Sequence, residues 1–349
     1  RTWKEIERGG RPGFDTAMQD VRGKKIFVGL SGGVDSAVSA ALLKDAGARV
    51  TGVFIKGWYP PGMPCTWAED RRDAMRVAAH LHIPFRTLDA STEYKRSVID
   101  YLLSEYRAGR TPNPDIMCNR DVKFGAFYAY AMAEGADYMA TGHYVSGAKD
   151  QRYFLWNVPK EAFEKTIFPL TGLEKERVRK KAEEFGLPVA HKPDSQGICF
   201  LGPVSLEDFL AHEASATEGQ ALDEAGREAG THGGALFATL GERVTLAGKP
   251  GPWFVHGKDM ARNELRVSHE PLPLTRERRE RLSFTDANWH ADAGGVSSAQ
   301  LRYRGARMAG RVENREFICA EPLSEWAAPG QSIVFWKDDE LIGGAIISE

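Results

Sequence analysis

With 349 residues the chain is long enough for two or three domains of about 150 residues each. It is 42% hydrophobic and 27% charged, a globular profile that excludes disordered and fibrous classes. Lys and Arg number 46 against 48 Asp and Glu, a formal charge of −2, which excludes an all-basic surface but not a local basic patch for nucleic acid.

Arg1–Gly23 is polar and mixed in charge, lacks the apolar stretch of a signal peptide and does not begin with Met. It reads as an N-terminal extension on a fragment or a processed chain. Lys25–Leu30 reads as a strand ending at glycines. A helix is expected over Asp35–Ala46, with Val34, Val38, Ala41 and Leu42 on one side and Gly47 as its stop. Further strands are expected at Arg49–Ile55, Pro84–Leu88 and Asp137–Thr141, and helices at Trp67–Leu81, Tyr94–Tyr106 and Asp121–Glu134. This alternation predicts a parallel sheet with helices on both faces, and ligands outside the carboxyl ends of the strands.

Lys160–Gly186 reads as helical and charged, and Pro188–Gly202 as a loop. From about Leu201 the texture becomes β-rich, with runs at Ala235–Thr239, Arg243–Leu246 and Trp253–His256, then a charge run at Thr275–Arg281. Ala299–Arg304, Arg311–Glu313, Ser332–Trp336 and Leu341–Ile347 are short strands parted by Pro329-Gly330 and Asp338-Asp339, the pattern of a small barrel. Trp253 and Trp336 are expected in the cores of these β domains. The expected division is an extension at 1–23, a nucleotide domain at 24–203, a central β-rich domain at 204–272 and a barrel at 281–349. No run of about 18 apolar residues offers a membrane span.

Ser31-Gly32-Gly33-Val34-Asp35-Ser36 sits where the first strand meets the first helix. Two glycines let the backbone approach an anion, and the amides that follow belong to a helix N-terminus. The Walker lysine and the GxGxxG fingerprint are both missing, which favours holding a departing pyrophosphate over transfer of a terminal phosphoryl group. Asp35 is suited to Mg²⁺ or to capping the helix. The loop resembles that of the pyrophosphatase-loop ATPases, the adenine nucleotide alpha-hydrolase-like, Rossmann-like group that activates carbonyl oxygens as adenylates.

The four cysteines (Cys65, Cys118, Cys199, Cys319) contain no Cys-x-x-Cys pair, too sparse for a disulfide scaffold, zinc or an iron–sulfur cluster. The cytoplasm is the expected compartment. Cys118 closes the loop Arg110-Thr-Pro-Asn-Pro-Asp115-Ile-Met-Cys118, in which two prolines pre-set the backbone before a carboxylate and a thiol. A helix starting near Asp121 would favour its thiolate; a buried small hydrophobe is the alternative. Cys199 stands in a second polar loop, Asp194-Ser-Gln-Gly-Ile-Cys199-Phe200. Cys65 and Cys319 read as structural. His143 reads either as a nucleotide contact or as a hydrogen-bonded structural residue.

These two loops, with Gly29–Ser36, Gly109–Asp115, Thr141-Gly-His-Tyr144, Lys149-Asp-Gln151 and Leu301-Arg-Tyr-Arg304, resemble the tRNA-specific 2-thiouridylases, the MnmA/TrmU family, from about Lys25 to the C-terminus. The resemblance implies ATP, with Mg²⁺, on Gly29, Leu30, Ser31, Gly32, Gly33, Val34, Asp35 and Ser36, its adenine side near Ile55 and Gly142. It implies adenylation of the C2 oxygen of the wobble uridine and a persulfide on Cys199. Cys118 would resolve that persulfide, through a Cys118–Cys199 disulfide or by freeing sulfide, and Asp115 would act as acid/base. Asn113, Pro114 and Asp115 would meet the base, and Lys149, Asp150, Gln151, Arg302 and Tyr303 the rest of the tRNA. Implied partners are the tRNAs for Lys, Glu and Gln and a sulfur-relay donor or cysteine desulfurase, with the enzyme a monomer. Arg177, Arg179, Lys180, Lys181 and the run Arg276–Arg281 are interleaved with Glu and read as solvated faces rather than phosphate contacts.

The chain departs from the family at Thr239-Leu-Gly-Glu-Arg-Val-Thr245, where the family reads Thr-Ile-Gly-Gln-Arg-Lys-Gly; Glu242 is expected to weaken any RNA contact there. Ile55 stands where the family usually has Met. A pyrophosphatase-loop amide or C–N ligase, and a non-catalytic tRNA-binding paralogue, are the competing readings. A ligase would have no use for two loop cysteines.

Overall fold

The computed structural model describes residues 21–62, 66–194, 205–214, 217–273, 275–323 and 326–348. They fall into two compact units, one within Arg1–Lys95 and Cys118–Pro203, the other within Arg96–Met117 and Val204–Glu349.

The first unit is built on a parallel sheet. Strand β1 (Lys25–Gly29) leads to helix α1 (Val34–Asp45), β2 (Arg49–Lys56), α2 (Trp67–His80) and β3 (Phe85–Asp89). Ile26, Phe27 and Val28 of β1 are all buried, as a strand covered on both faces requires. The chain is then helical as α3 (Ser91–Tyr94), a wide π-type stretch (Lys95–Asp100) and α4 (Tyr101–Arg107), and again as α5 (Pro114–Met117), a second π-type stretch (Cys118–Ala126) and α6 (Phe127–Ala133). Strand β4 (Tyr138–Ala140), α7 (Lys160–Glu164), β5 (Thr166–Ile167) and α8 (Lys175–Glu184) complete the alternation. The strand order is β3-β2-β1-β4-β5, with Val28 opposite Gly52 on one side and Ala140 on the other. The order reverses between β1 and β4, so the crevice at their carboxyl ends is the ligand position of this architecture.

Two expectations are corrected here. Lys160–Gly186 is not helical throughout: the β-branched pair Thr166–Ile167, buried and opposite Met139 and Ala140, adds the fifth strand. The helix expected from Asp121 begins at Pro114, because Asn113 caps it through Oδ1 to the Asp115 amide (3.0 Å) and Pro114 takes the first helical position.

The second unit holds the β domains. After α9 (Leu206–Ala214) come β6 (Gly219–Leu222), β7 (Glu228–His232), β8 (Arg243–Val244), β9 (Trp253–Asp259) and β10 (Glu264–Ser268), in the order β7-β6-β10-β9-β8. The run at Ala235–Thr239 is no strand but opens with a 3-10 turn at Ala235–Phe237. Gly234 enters it at φ 139°, and Asn263 Oδ1 takes the Ala235 amide at 2.8 Å. The charge run forms helix α10 (Arg276–Glu280). Strands β11 (Arg281–Trp289), β12 (Ser298–Gln300), β13 (Met308–Glu313), β14 (Glu316–Cys319), β15 (Ser332–Lys337) and β16 (Glu340–Ile347) close a barrel in the order β11-β14-β13-β12-β15-β16. Leu282, Phe284, Phe317, Phe335 and Ile342 fill it. The strand expected to reach Arg304 stops at Gln300, whose Nε2 donates to Gly305 O across a turn that holds Arg304 at φ 60°. Trp253 and Trp336 are buried, as expected.

Candidate active site

The loop after β1 is organised by its own hydroxyls. Ser36 Oγ accepts from the Ser31 amide (3.2 Å), lies 3.1 Å from Ser31 Oγ and donates to Gly33 O (3.1 Å). Gly33 is the N-cap of α1, and no side chain caps that end, so the first amides face outward with the partial positive charge of a twelve-residue helix. Gly32 has φ 79° and lies on α2: a Cβ there would overlap the Asp70 carbonyl oxygen. Gly142, after β4, packs on the start of α1, where a Cβ would reach 2.9 Å from the Ser36 amide. The two strand ends at the switch point thus meet at the loop. Gly29 ends β1, Leu30 and Val34 are buried beneath the loop, and Ile55 is buried near the carboxyl end of β2. Lys56 beyond it pairs with Asp89 at 2.8 Å, and this bond, with those from Ser91, holds the Asp89 carboxyl down to about 2.

Asp35 is the centre of a network that no local spacing predicts. Its Oδ1 accepts from Tyr144 OH (2.8 Å) and from Lys175 Nζ (2.6 Å). Burial, then the Asp35 charge, pushes the Tyr144 phenol far above its ordinary value, so it stays a donor. Lys175 Nζ also lies 2.8 Å from Asp194 Oδ1, and Asp194 is further paired with Lys149 (3.0 Å) and Arg179 (2.7 Å). Desolvation works against the Asp194 carboxylate, but bonds from Lys175 and Lys149 hold it below the usual range. Lys175 thus offsets the Asp35 charge beside the loop. Two residues before Asp194, Lys192 binds Asp70 (2.9 Å) and Asp73 (2.8 Å) of α2. Both ends of this short stretch are therefore tied down where the chain enters the segment of Cys199. Cys199 itself, like Cys65, lies outside the described residues, so its approach to Cys118 does too.

Cys118 is fully buried at the start of the second π-type stretch. The expected benefit from a helix N-terminus at Asp121 is corrected: Cys118 is already past the first turn, where that effect fades. Its neighbour Asn119 is 2% exposed and gives its Nδ2 to Phe154 O (3.0 Å), while its Oδ1 is buried without a hydrogen-bond partner. Asp115 Oδ1 is likewise buried and unpartnered. Buried polar atoms left in this state are costly, and functional sites are where such a cost is tolerated. Burial pushes the Cys319 thiol up to about 11.

His143 bonds Thr141 Oγ1 through Nδ1 (2.9 Å) beside the Phe124 ring. Burial, then the Lys123 charge, pulls its imidazole well below 6.5. Its folded value is depressed, so its share of stability is complete above the unfolded value of about 6.5 and is lost as pH falls below it. Denaturant unfolding at pH about 7.5 and 5.5 is expected to show a smaller loss of stability for His143→Gln than for the wild type. Equal losses would contradict the assignment.

The remaining sequence candidates have intramolecular partners. Lys149 serves Asp194, Asp150 grips the buried Arg152 at 2.5 Å, and Gln151 Oε1 accepts from the Tyr144 amide (3.0 Å). Arg302 and Tyr303 stand in the turn after β12, not in a strand. Arg302 is exposed there, and the Arg304 guanidinium lies 5.1 Å from the Tyr303 ring, an arrangement suited to phosphate and a stacked base. Glu242 accepts from the Thr239 amide (2.8 Å) and so shapes its own turn. Arg179, read as part of a solvated face, instead clamps Asp194, while Arg177 pairs with Glu184. Sequence reasoning gave Tyr144 and Asp194 no role, though both stand in motifs it quoted, and it missed Lys175 altogether.

Three family models match in succession: the tRNA methyl transferase HUP domain at residues 24–203, the tRNA methyl transferase PRC-barrel domain at 207–269 and the aminomethyltransferase beta-barrel domain at 279–347. Two curated relatives from Streptococcus agalactiae, of serotypes Ia and III, are each described as tRNA-specific 2-thiouridylase MnmA. Each is 40% identical over 363 aligned positions, covering 95% of this chain and 97% of the relative. Among solved structures, NMN synthetase from Francisella tularensis matches with a TM-score of 0.37 and 19% identity over 56% of this chain and 76% of that one. The U34-tRNA thiolase NcsA from Methanococcus maripaludis matches with a TM-score of 0.35 and 19% identity over 50% and 61%.

Proposed function

The chain belongs to the tRNA-specific 2-thiouridylases, sulfurtransferases that act on tRNA, and from that premise we propose that it thiolates C2 of the wobble uridine at the expense of ATP. The observation that carries the ATP step is the loop Ser31–Ser36, with an uncapped helix start, and Lys175 beside its only carboxylate. ATP places its phosphates on Gly29–Ser36 and its adenine toward Ile55 and Gly142. Both bonds to Asp35 fall on Oδ1, so Oδ2 is the oxygen open to a Mg²⁺ that arrives with the triphosphate. Among the described residues no group of three or more His, Cys, Asp or Glu could hold a metal by itself.

The C2 oxygen attacks the α-phosphorus, and pyrophosphate leaves. The terminal sulfur of a Cys199 persulfide then attacks C2 and AMP leaves, joining the base to Cys199 through a disulfide. The Cys118 thiolate attacks the Cys199 sulfur, forming a Cys118–Cys199 disulfide and releasing the thiocarbonyl; a cellular thiol reductant resets the pair. In the alternative order Cys118 attacks the persulfide first and frees sulfide, which attacks C2. Asp115 moves the proton at the base, whose contacts are Asn113 and Pro114. Lys149–Gln151 and Arg302–Tyr303 serve the tRNA backbone. The substrates are the tRNAs for Lys, Glu and Gln, the sulfur comes from a relay protein or cysteine desulfurase, and the enzyme works as a cytoplasmic monomer. Among the described residues no helix is long and apolar enough to cross a membrane.

The test is nucleoside analysis of tRNA after complementing a thiolation-deficient cell. Wild type is expected to restore wobble 2-thiouridine, and Cys199→Ala and Cys118→Ser to restore none. Equal restoration by all three would remove the persulfide role, and no restoration by the wild type would favour a ligase.

A further inference from the structure

The loop that carries Asn113, Pro114 and Asp115 lies in the same compact unit as the two β domains, and Thr111 bonds to both of them. Its amide donates to Pro329 O (3.1 Å), in the barrel, and its Oγ1 to Thr239 Oγ1 (3.2 Å), in the central domain. Both partners sit on pinned turns. The Gly330 amide bonds Ile347 O (3.0 Å), and Ile347 returns its own amide to Gln331 O (2.8 Å), which fixes the Pro329–Gly330 turn to the last barrel strand. The Thr239 amide bonds Glu242 Oε2 (2.8 Å), and the Gly241 amide bonds Val255 O (2.8 Å) on β9. Gly330 has φ 88°, and a Cβ on it would stand 2.9 Å from the Thr111 nitrogen and from Arg110 Cβ, so no larger residue fits without displacing Thr111.

From Thr111 to Asp115 the chain has little freedom. Pro112 and Pro114 have fixed φ, and Thr111 and Asn113, each preceding a proline, are confined to extended conformations. Asn113 Oδ1 then locks the Asp115 amide. A shift imposed at Thr111 therefore arrives at Asp115 nearly undiminished.

We propose that Thr239 and Gly330 are positioning residues for the activation of the uridine: through Thr111 and the Pro-Asn-Pro rod, the central domain and the barrel set where Asp115 stands. This rests on the reading of Asn113–Asp115 as the residues that meet the uridine. It gives the β domains a part in the chemical step beyond binding RNA.

The test measures tRNA-dependent pyrophosphate release by the full chain. A misplacement of about 1 Å costs on the order of a hundredfold, so Gly330→Ala is expected to lower kcat by about 10- to 100-fold with the KM for ATP unchanged. Thr239→Val is expected to lower kcat severalfold, and Thr239→Ser to restore it. The inference is overturned if Gly330→Ala and Thr239→Val keep kcat within about twofold of wild type, or if kcat and the KM for ATP degrade together and Ser fails to rescue. An inactive wild type would count against the functional reading instead. Hydrogen exchange at the Thr111 amide would then decide the contact alone: slow in wild type and at least about tenfold faster in Gly330→Ala if the clamp exists, equal in both if it does not.

Discussion

Gly32→Ala is expected to weaken nucleotide binding severely while leaving the fold standing. At φ 79° an alanine costs about 1–2 kcal/mol from backbone sterics alone. Its Cβ must also push the loop off the Asp70 carbonyl, since backbone on α2 cannot swing aside as a side chain could. The unit beneath is held by a large apolar core around Ile26, Val28, Val38, Leu42 and Val77, so the melting temperature is expected to fall by only about 3–10 °C. The loop itself has no such reserve: the Ser31–Ser36 hydroxyl bonds at 3.1–3.2 Å close only when Gly32 turns the chain. Calorimetric titration with ATP should show affinity reduced about a hundredfold or more, with tRNA binding retained. ATP affinity close to wild type would show that the loop is not the phosphate site.

Lys175→Met is expected to weaken ATP about thirtyfold. In its absence Asp35 retains only the Tyr144 hydroxyl, and a net negative charge stands beside the incoming triphosphate. At about 7 Å and an effective dielectric of about 20, one uncompensated charge costs about 2 kcal/mol, which is that factor in affinity. Lys175→Arg keeps the charge and should recover most of it. Because the effect is electrostatic, the gap between Met and wild type should narrow as salt rises. A Met variant within about threefold of wild type at low salt would assign Lys175 to holding Asp194 alone.

The pyrophosphate loop was legible because everything it needs is consecutive: strand, glycines, hydroxyls and helix occupy a dozen adjacent residues. The network around Asp35 was not, because Lys175 is 140 positions away and reaches it only once α8 packs on α1. Periodicity found the long elements and missed the short ones. Thr166–Ile167 makes a strand by pairing with β4, and two residues carry no period. The apolar run after Gly234 reads as a strand until Asn263, a remote side chain, claims the Ala235 amide. The early start of the helix at Pro114 was an avoidable miss, since Asn113-Pro114 is a cap followed by the residue best suited to a first helical position.

The chain leaves the first unit after Lys95 and returns to it at Cys118, and what lies between belongs elsewhere. Leu102, Leu103 and Tyr106 of α4 are almost wholly covered, and α4 packs on α9 and on the 3-10 turn Ala235–Phe237, both from later in the chain. A protease or an engineer cutting before Ser205 would strip that cover and leave three large apolar side chains in water. The N- and C-terminal halves of the enzyme are therefore not modules that can be traded freely.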